Sequence, residues 1–265
     1  NEENLELSLN MLGEFTKMFS AEFAIRYFIN MFPEETYIKM FTWTKSDNVH
    51  QRRLASEGLR PKLPWAKGID FDINKGILPL DNLYFDSERY VTRSVANHLN
   101  DISKINPSLV LDTLRRWKKS HKQNEKEMDY IISHSLRTLV KKGHKETLEF
   151  LGYNYTPEII VSNLNIKNEK INIGESILFS FNIEAKKDEQ LVIDYVITYP
   201  MSNNKKSTKV FKIKKLLMNE TTKVLIKKKH PFRVMTTKKL YSGEYNLEIQ
   251  INGKEFGSIK FFITV

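Results

Sequence analysis

The spacing of the apolar residues changes once along this chain, near LGYNYTPE (151–158), and the change demands two folding units of different class. Before it, apolar residues recur at helical intervals, as in AEFAIRYFINMF and PSLVLDTLRRW, with Pro33 and Pro107 at helix-start positions. After it the period is two. In YNLEIQIN, Tyr245, Leu247, Ile249 and Ile251 share one face while Asn246, Glu248, Gln250 and Asn252 take the other. Asn252-Gly253 then supplies a hairpin turn. SILFSFNIEA, LVIDYVITY and SIKFFITV are further strands at sandwich spacing. YSGEYNL resembles the lead-in to strand F of an immunoglobulin domain, with Leu247 where a cysteine often sits. The expected fold is multidomain α + β: helical repeats over 1–153, then an all-β Ig-like sandwich over 157–265.

The helical part repeats itself. QRRLAS, VTRSVAN and ISHSLRT align with Arg52, Arg93 and His134 in register, each 41 residues from the next, and Leu54, Val95 and Leu136 then coincide, as do Ala55 and Ala96. That period lies in the range of HEAT and armadillo helix pairs. The reading is an α-solenoid of HEAT-like repeats whose second helices line a concave face and present Arg52, Arg53, Glu57, Arg93, Asn97 and Asp101 to one groove. A scaffold gripping a protein partner fits the same pattern.

Charge is unevenly placed. Residues 201–250 hold 13 Lys and Arg against 3 Asp and Glu, a surplus equal to the whole net charge of +10. Such a stretch suits a polyanion, nucleic acid above all, and suits a solvated sheet face equally well. Hydrophobic content of 40% is too high for a disordered chain. The absence of cysteine excludes disulfides, cysteine-ligated zinc and a cysteine nucleophile. No apolar run approaches the roughly 18 residues of a membrane span. The chain starts at Asn1 without a methionine, leaving room for an upstream segment.

Two trios stand out. Arg53, Glu57 and Arg60 lie at i, i+4 and i+7, and Arg93, Asn97 and Asp101 at i, i+4 and i+8, so each is expected along one helix face. They read as surface ion pairs worth roughly 0–1 kcal/mol, or as something more specific, since a carboxylate on a basic groove wall opposes phosphate binding. Trp65, after Pro64, is either a core tryptophan or a ring offered to a cationic base or a sugar.

SDNVHQRRLASEGLRPKLPWA and YVTRSVANHLNDISKINPSLVLDTLRRW resemble the signature blocks of the AlkC branch of the HEAT-like-repeat alkylpurine DNA glycosylases. ISHSLRTLVKKG resembles the block that follows, and AEFAIRYFI and PEETYIKMF resemble what precedes. The likeness spans residues 20–152. Gln51 stands where the family often has valine and His134 where it often has arginine. The resemblance implies excision of N-alkylated, cationic bases such as 3-methyladenine from duplex DNA, without flipping the base from the stack. It carries catalytic acids onto Glu22, Glu57 and Asp101, the active-site aromatic onto Trp65 and a phosphate-binding arginine onto Arg53.

The chemistry suits these residue types. An alkylated purine already bears positive charge, so it leaves without a general acid, while positive charge grows on the deoxyribose. Carboxylates stabilise that charge and can position the attacking water. Arg52, Arg60, Arg93, Asn97 and His134 are further expected DNA contacts. In the second half the expected contacts lie in KKKHPFRVMTTKK (227–239), read as an exposed loop with Lys228, His230 and Arg233 toward the minor groove. No cofactor or metal is implied, and the six histidines show no ligand-spaced pair. The expectation is a monomer working on double-stranded DNA in the cytoplasm, off the membrane. A non-catalytic HEAT/Ig scaffold is the alternative.

Overall fold

The structure, a computed structural model, describes residues 2–202, 205–234 and 239–264. The chain divides into two compact units, residues 1–139 and 140–265. The helices of the first are α1 (Leu5–Phe15), α2 (Glu22–Met31), α3 (Pro33–Trp43), α4 (Val49–Glu57), α5 (Ile73–Leu83), α6 (Arg89–Ile102), α7 (Pro107–Ser120) and α8 (Glu125–Ser135). A short helix, α9 (Arg137–Lys141), follows, and α10 (Lys145–Phe150) belongs to the second unit.

Local chemistry sets the starts of these helices. Pro33 and Pro107 occupy first-turn positions, where a missing N–H costs nothing. The side chains of Asn48, Asp72, Asn106 and Asn124 accept hydrogen bonds from backbone N–H groups at the starts of α4, α5, α7 and α8. Leu54, Val95 and Leu136, the positions that the 41-residue repeat superimposes, are all fully buried, as are Ala55 and Ala96. Helix α6 packs between α4 and α8, so the three helices that carry Arg52, Arg93 and His134 lie side by side.

The second unit has two sheets, β1-β3-β6 and β2-β8-β7-β4-β5, built from β1 (Ile159–Ile166), β2 (Lys170–Asn172), β3 (Ser176–Ala185), β4 (Glu189–Pro200), β5 (Lys206–Met218), β6 (Lys223–Pro231), β7 (Gly243–Ile251) and β8 (Lys254–Thr264). All pairings are antiparallel except β2 with β8. One apolar core draws Phe179, Phe181 and Ile226 from one sheet and Tyr195, Ile197, Leu247 and Phe261 from the other. Most lysines of the basic stretch lie on two strands, β5 and β6, each at one edge of its sheet.

Asn252 and Gly253 turn β7 into β8 with φ of 45° and 79°, the left-handed conformation a two-residue hairpin needs. Asn252 does more than turn. Its side chain is fully buried, accepting from Val192 N and donating to the carbonyls of Asn154 and Gln190. Tyr245 donates to the Tyr241 carbonyl at 2.8 Å, the tyrosine corner of immunoglobulin-like domains, and Leu247 is buried in the cysteine's usual place. Gln250, placed on the outer face by alternation, is buried, and its amide donates to the Lys141 carbonyl.

Candidate active site

A cluster of buried charge joins α4 and α6. Helix α4 ends at Glu57, so Arg60 lies in the turn beyond it and not on the same helix face. From there its guanidinium donates to Glu57 Oε1 at 2.5 Å and to Asp101 Oδ2 at 2.8 Å. The remaining carboxylate oxygens are held as well: Ser94 donates to Glu57 Oε2 at 2.6 Å and Lys104 to Asp101 Oδ1 at 2.8 Å. Glu57, Arg60 and Asp101 are all buried. Breaking one partner of such a set leaves an uncompensated charge, a loss of several kcal/mol, so it acts as a unit.

Glu22, the first residue of α2, forms a second pair with Arg53, at 3.2 Å from Nη2, and Arg53 also covers the Tyr90 ring at 4.9 Å. Burial pushes the Glu22 carboxyl up, but the hydrogen bonds from Arg53 and from its own backbone outweigh it and hold it below the usual carboxylate range. Its Oε2 is buried without a hydrogen-bond partner among the described residues.

Trp65 is no core residue. It is 98% exposed, with φ of 61°, on the segment between α4 and α5. That segment is fastened by Arg26, 1% exposed, which donates to the carbonyls of Gly58 at 3.0 Å, Arg60 at 2.8 Å and Lys67 at 2.5 Å. Asn30 adds a bond to the Gly68 carbonyl at 2.9 Å. Arg26 thus grips both ends of the turn that carries Arg60 and Trp65. Its signal in the sequence is an arginine between the apolar positions Ile25 and Ile29 of α2, one turn after Glu22.

The other expected contacts separate. Arg52 makes an internal clamp, donating to Asp86 at 2.6 Å and to the Ser46 and Asp47 carbonyls at 3.0 Å each. Arg93 is exposed, with no hydrogen bond or ion pair among the described residues. Asn97 Oδ1 meets His134 Nε2 at 2.9 Å and accepts from Arg137 at 3.0 Å. His134 stacks on Tyr130, and burial, then the charges of Arg137, Arg93 and Arg60, lowers its pKa to about 4, leaving it neutral at pH 7.

In the sandwich, the stretch read as a loop is in large part strand. Lys228 and His230 lie on β6, and only Phe232, Arg233 and Val234 follow it before residues 235–238, which are outside the described residues. His230 is buried, with Nδ1 at 2.7 Å from the Tyr195 hydroxyl, so its ring is part of the sandwich interior. Arg233 is exposed.

Fold and cluster define a two-part protein: a helical unit with acids gathered around one buried arginine, then an immunoglobulin-like domain. Residues 160–265 match the family described as "Uncharacterised protein YhaZ, C-terminal Ig-like domain". The chain is 37% identical over 259 residues to "Uncharacterized protein YhaZ" of Bacillus subtilis (strain 168), covering 97% of this chain and 71% of that one. It is similar also to the structure "Pseudomonas fluorescens alkylpurine DNA glycosylase AlkC bound to DNA containing an abasic site analog", with a TM-score of 0.93, 36% identity, and 99% of this chain and 74% of that one covered. The chain belongs to the family that contains YhaZ and AlkC.

Proposed function

We propose that this protein is an alkylpurine DNA glycosylase that hydrolyses the N-glycosidic bond of cationic bases such as 3-methyladenine within duplex DNA. The observation that carries the reading is the buried Glu57–Arg60–Asp101 unit, whose arginine shares a turn with a fully exposed Trp65, in a chain similar to AlkC along nearly its whole length. The 41-residue separations of Arg60 from Asp101 and of Arg26 from Lys67, both joined by hydrogen bonds, support a HEAT-like solenoid as the frame.

In this mechanism the C1′–N bond breaks and its electron pair neutralises the purine ring. Positive charge is left on the sugar, which Glu57 and Asp101 stabilise from positions fixed in advance. Water then adds to C1′ and gives up a proton. Glu22, whose Oε2 is not taken up by Arg53, is the acceptor we assign to orient it. The exposed Trp65 ring meets the cationic base, which suits a base approached in the stack. Arg93, exposed and without an internal partner, and Arg53 take flanking phosphates, whereas Arg52 and Arg60 are committed to the fold and to the acids. Lys228 and Arg233 give the Ig-like domain a second hold on the DNA.

Release of 3-methyladenine from alkylated duplex DNA tests the reading. Asp101→Asn and Glu57→Gln are expected to slow release about 100-fold or more while duplex binding persists. Release at the wild-type rate in both variants would overturn the assignment. Duplex binding with no base release by the unaltered protein would favour the scaffold alternative.

A further inference from the structure

The sandwich is open along one side, where β5 and β6 end their sheets without pairing to each other. Edge strands carry charge to discourage pairing with other chains, and an inward-pointing lysine is one such device, but one per strand is enough for that and does not call for a cluster around a cleft. Here two lysines take core-facing positions, one on each edge strand. Lys209 pairs across from the fully buried Ile197, and Lys228 across from the buried Phe179. With Lys212 and Lys229 they rim a cleft of about 500 Å³. No carboxylate lines it, and Lys209, Lys228 and Lys229 have no ion pair among the described residues.

The floor is aromatic and fixed. Phe211 stacks on Tyr195 at 5.2 Å, and the His230 ring stands edge-on to Phe211 at 4.6 Å, locked by its bond to the Tyr195 hydroxyl. A bare phosphate would need only the cations, and an apolar ligand only the floor. An anion carrying a planar ring uses both, and the volume suits a small ligand of that kind.

We propose that this cleft binds a nucleoside monophosphate unit, its phosphate on Lys209 and Lys228 and its base against the aromatic floor. The unit is either a free nucleotide or an unpaired residue of a strand. The site stands on the sandwich alone and does not depend on base release.

Calorimetric titration of the full chain with dAMP, deoxyadenosine and inorganic phosphate tests it. Saturable dAMP binding in the millimolar range or tighter is expected, with each half of the molecule at least about tenfold weaker. Lys209→Glu with Lys228→Glu should weaken dAMP at least about tenfold, whereas Lys170→Glu, at an exposed position of β2, should not. Lys229→Gln is the milder variant should the pair melt early, and it is expected to weaken dAMP in the same direction. Preference for a duplex with one unpaired 5′ adenosine over a blunt one, lost in the double variant, would assign the ligand to a strand. Equal binding of both duplexes, with dAMP binding intact, would assign it to the free nucleotide. The proposal falls if dAMP does not saturate, if phosphate alone binds as tightly, or if Lys170→Glu weakens dAMP as much as the cleft variants.

Discussion

A guanidinium buried without a carboxylate partner is costly unless its N–H groups find acceptors, and Arg26 places Nε and Nη1 on three backbone carbonyls. Burial lowers its pKa, but an arginine has far to fall before it loses its proton. Truncation would strand those carbonyls at about 1–3 kcal/mol each. Arg26→Met is therefore expected to destabilise the helical unit by about 3 kcal/mol or more, and Arg26→Lys by less, because an ammonium restores one or two of the bonds. Urea titration of the three proteins gives the order, and an Arg26→Met midpoint equal to wild type would show that the carbonyls find water instead. Such a residue was legible only as a polar intrusion in an apolar helix face. Its partners lie 32 to 41 residues away on a segment with no periodicity of its own.

Among the elements, the β7–β8 hairpin shows how a local turn can carry a nonlocal constraint. Gly253 was readable as a turn glycine from its neighbour Asn252. Its second role was not readable: a Cβ at Gly253 would lie 2.2 Å from the Gly143 Cα, and one at Gly143 would lie 2.7 Å from the Gly253 Cα, so two backbones touch where α9 gives way to α10. Gly253→Ala is expected to cost about 3 kcal/mol, from the clash as well as the positive φ. Gly174→Ala, also at positive φ but with open space around it, should cost only about 1 kcal/mol. Thermal melts compare them, and equal losses would mean that the turn alone sets the requirement. Strand alternation identified β3, β4, β7 and β8 because their inner faces are apolar. It passed over β5 and β6, whose alternation is broken by lysines on core-facing positions.

On the scale of the molecule the two units answer acid in opposite senses. Burial lowers the pKa of His98 to about 3, and burial with neighbouring arginines lowers that of His134 to about 4. Below about pH 6.5 the unfolded chain takes up protons that these folded histidines refuse, so the helical unit loses stability from there toward pH 4. In the sandwich, burial raises Asp194 to about 6. Its folded form is protonated before its unfolded form, so that contribution grows as pH falls from 6 toward 4 and is lost as pH rises through 6. Between about pH 7 and pH 5 the helical circular-dichroism signal should melt earlier while the sheet signal holds or melts later. A parallel shift of both would contradict this. The two-part architecture was plain from the sequence because hydrophobic period is a local property. The candidate site was legible by family likeness in Glu22, Glu57, Asp101 and Trp65, but the pairing of both inner acids with Arg60 was not, since helix α4 stops before it. Trp65 has one further consequence. Trp43 and Trp117 are buried, the latter donating to Asp81 and stacked on Tyr84, so the indole that collisional quenchers can reach is that of Trp65. The protein carries a native fluorophore at its candidate site, and the quenchable fraction of its emission reports occupancy of that surface without a label.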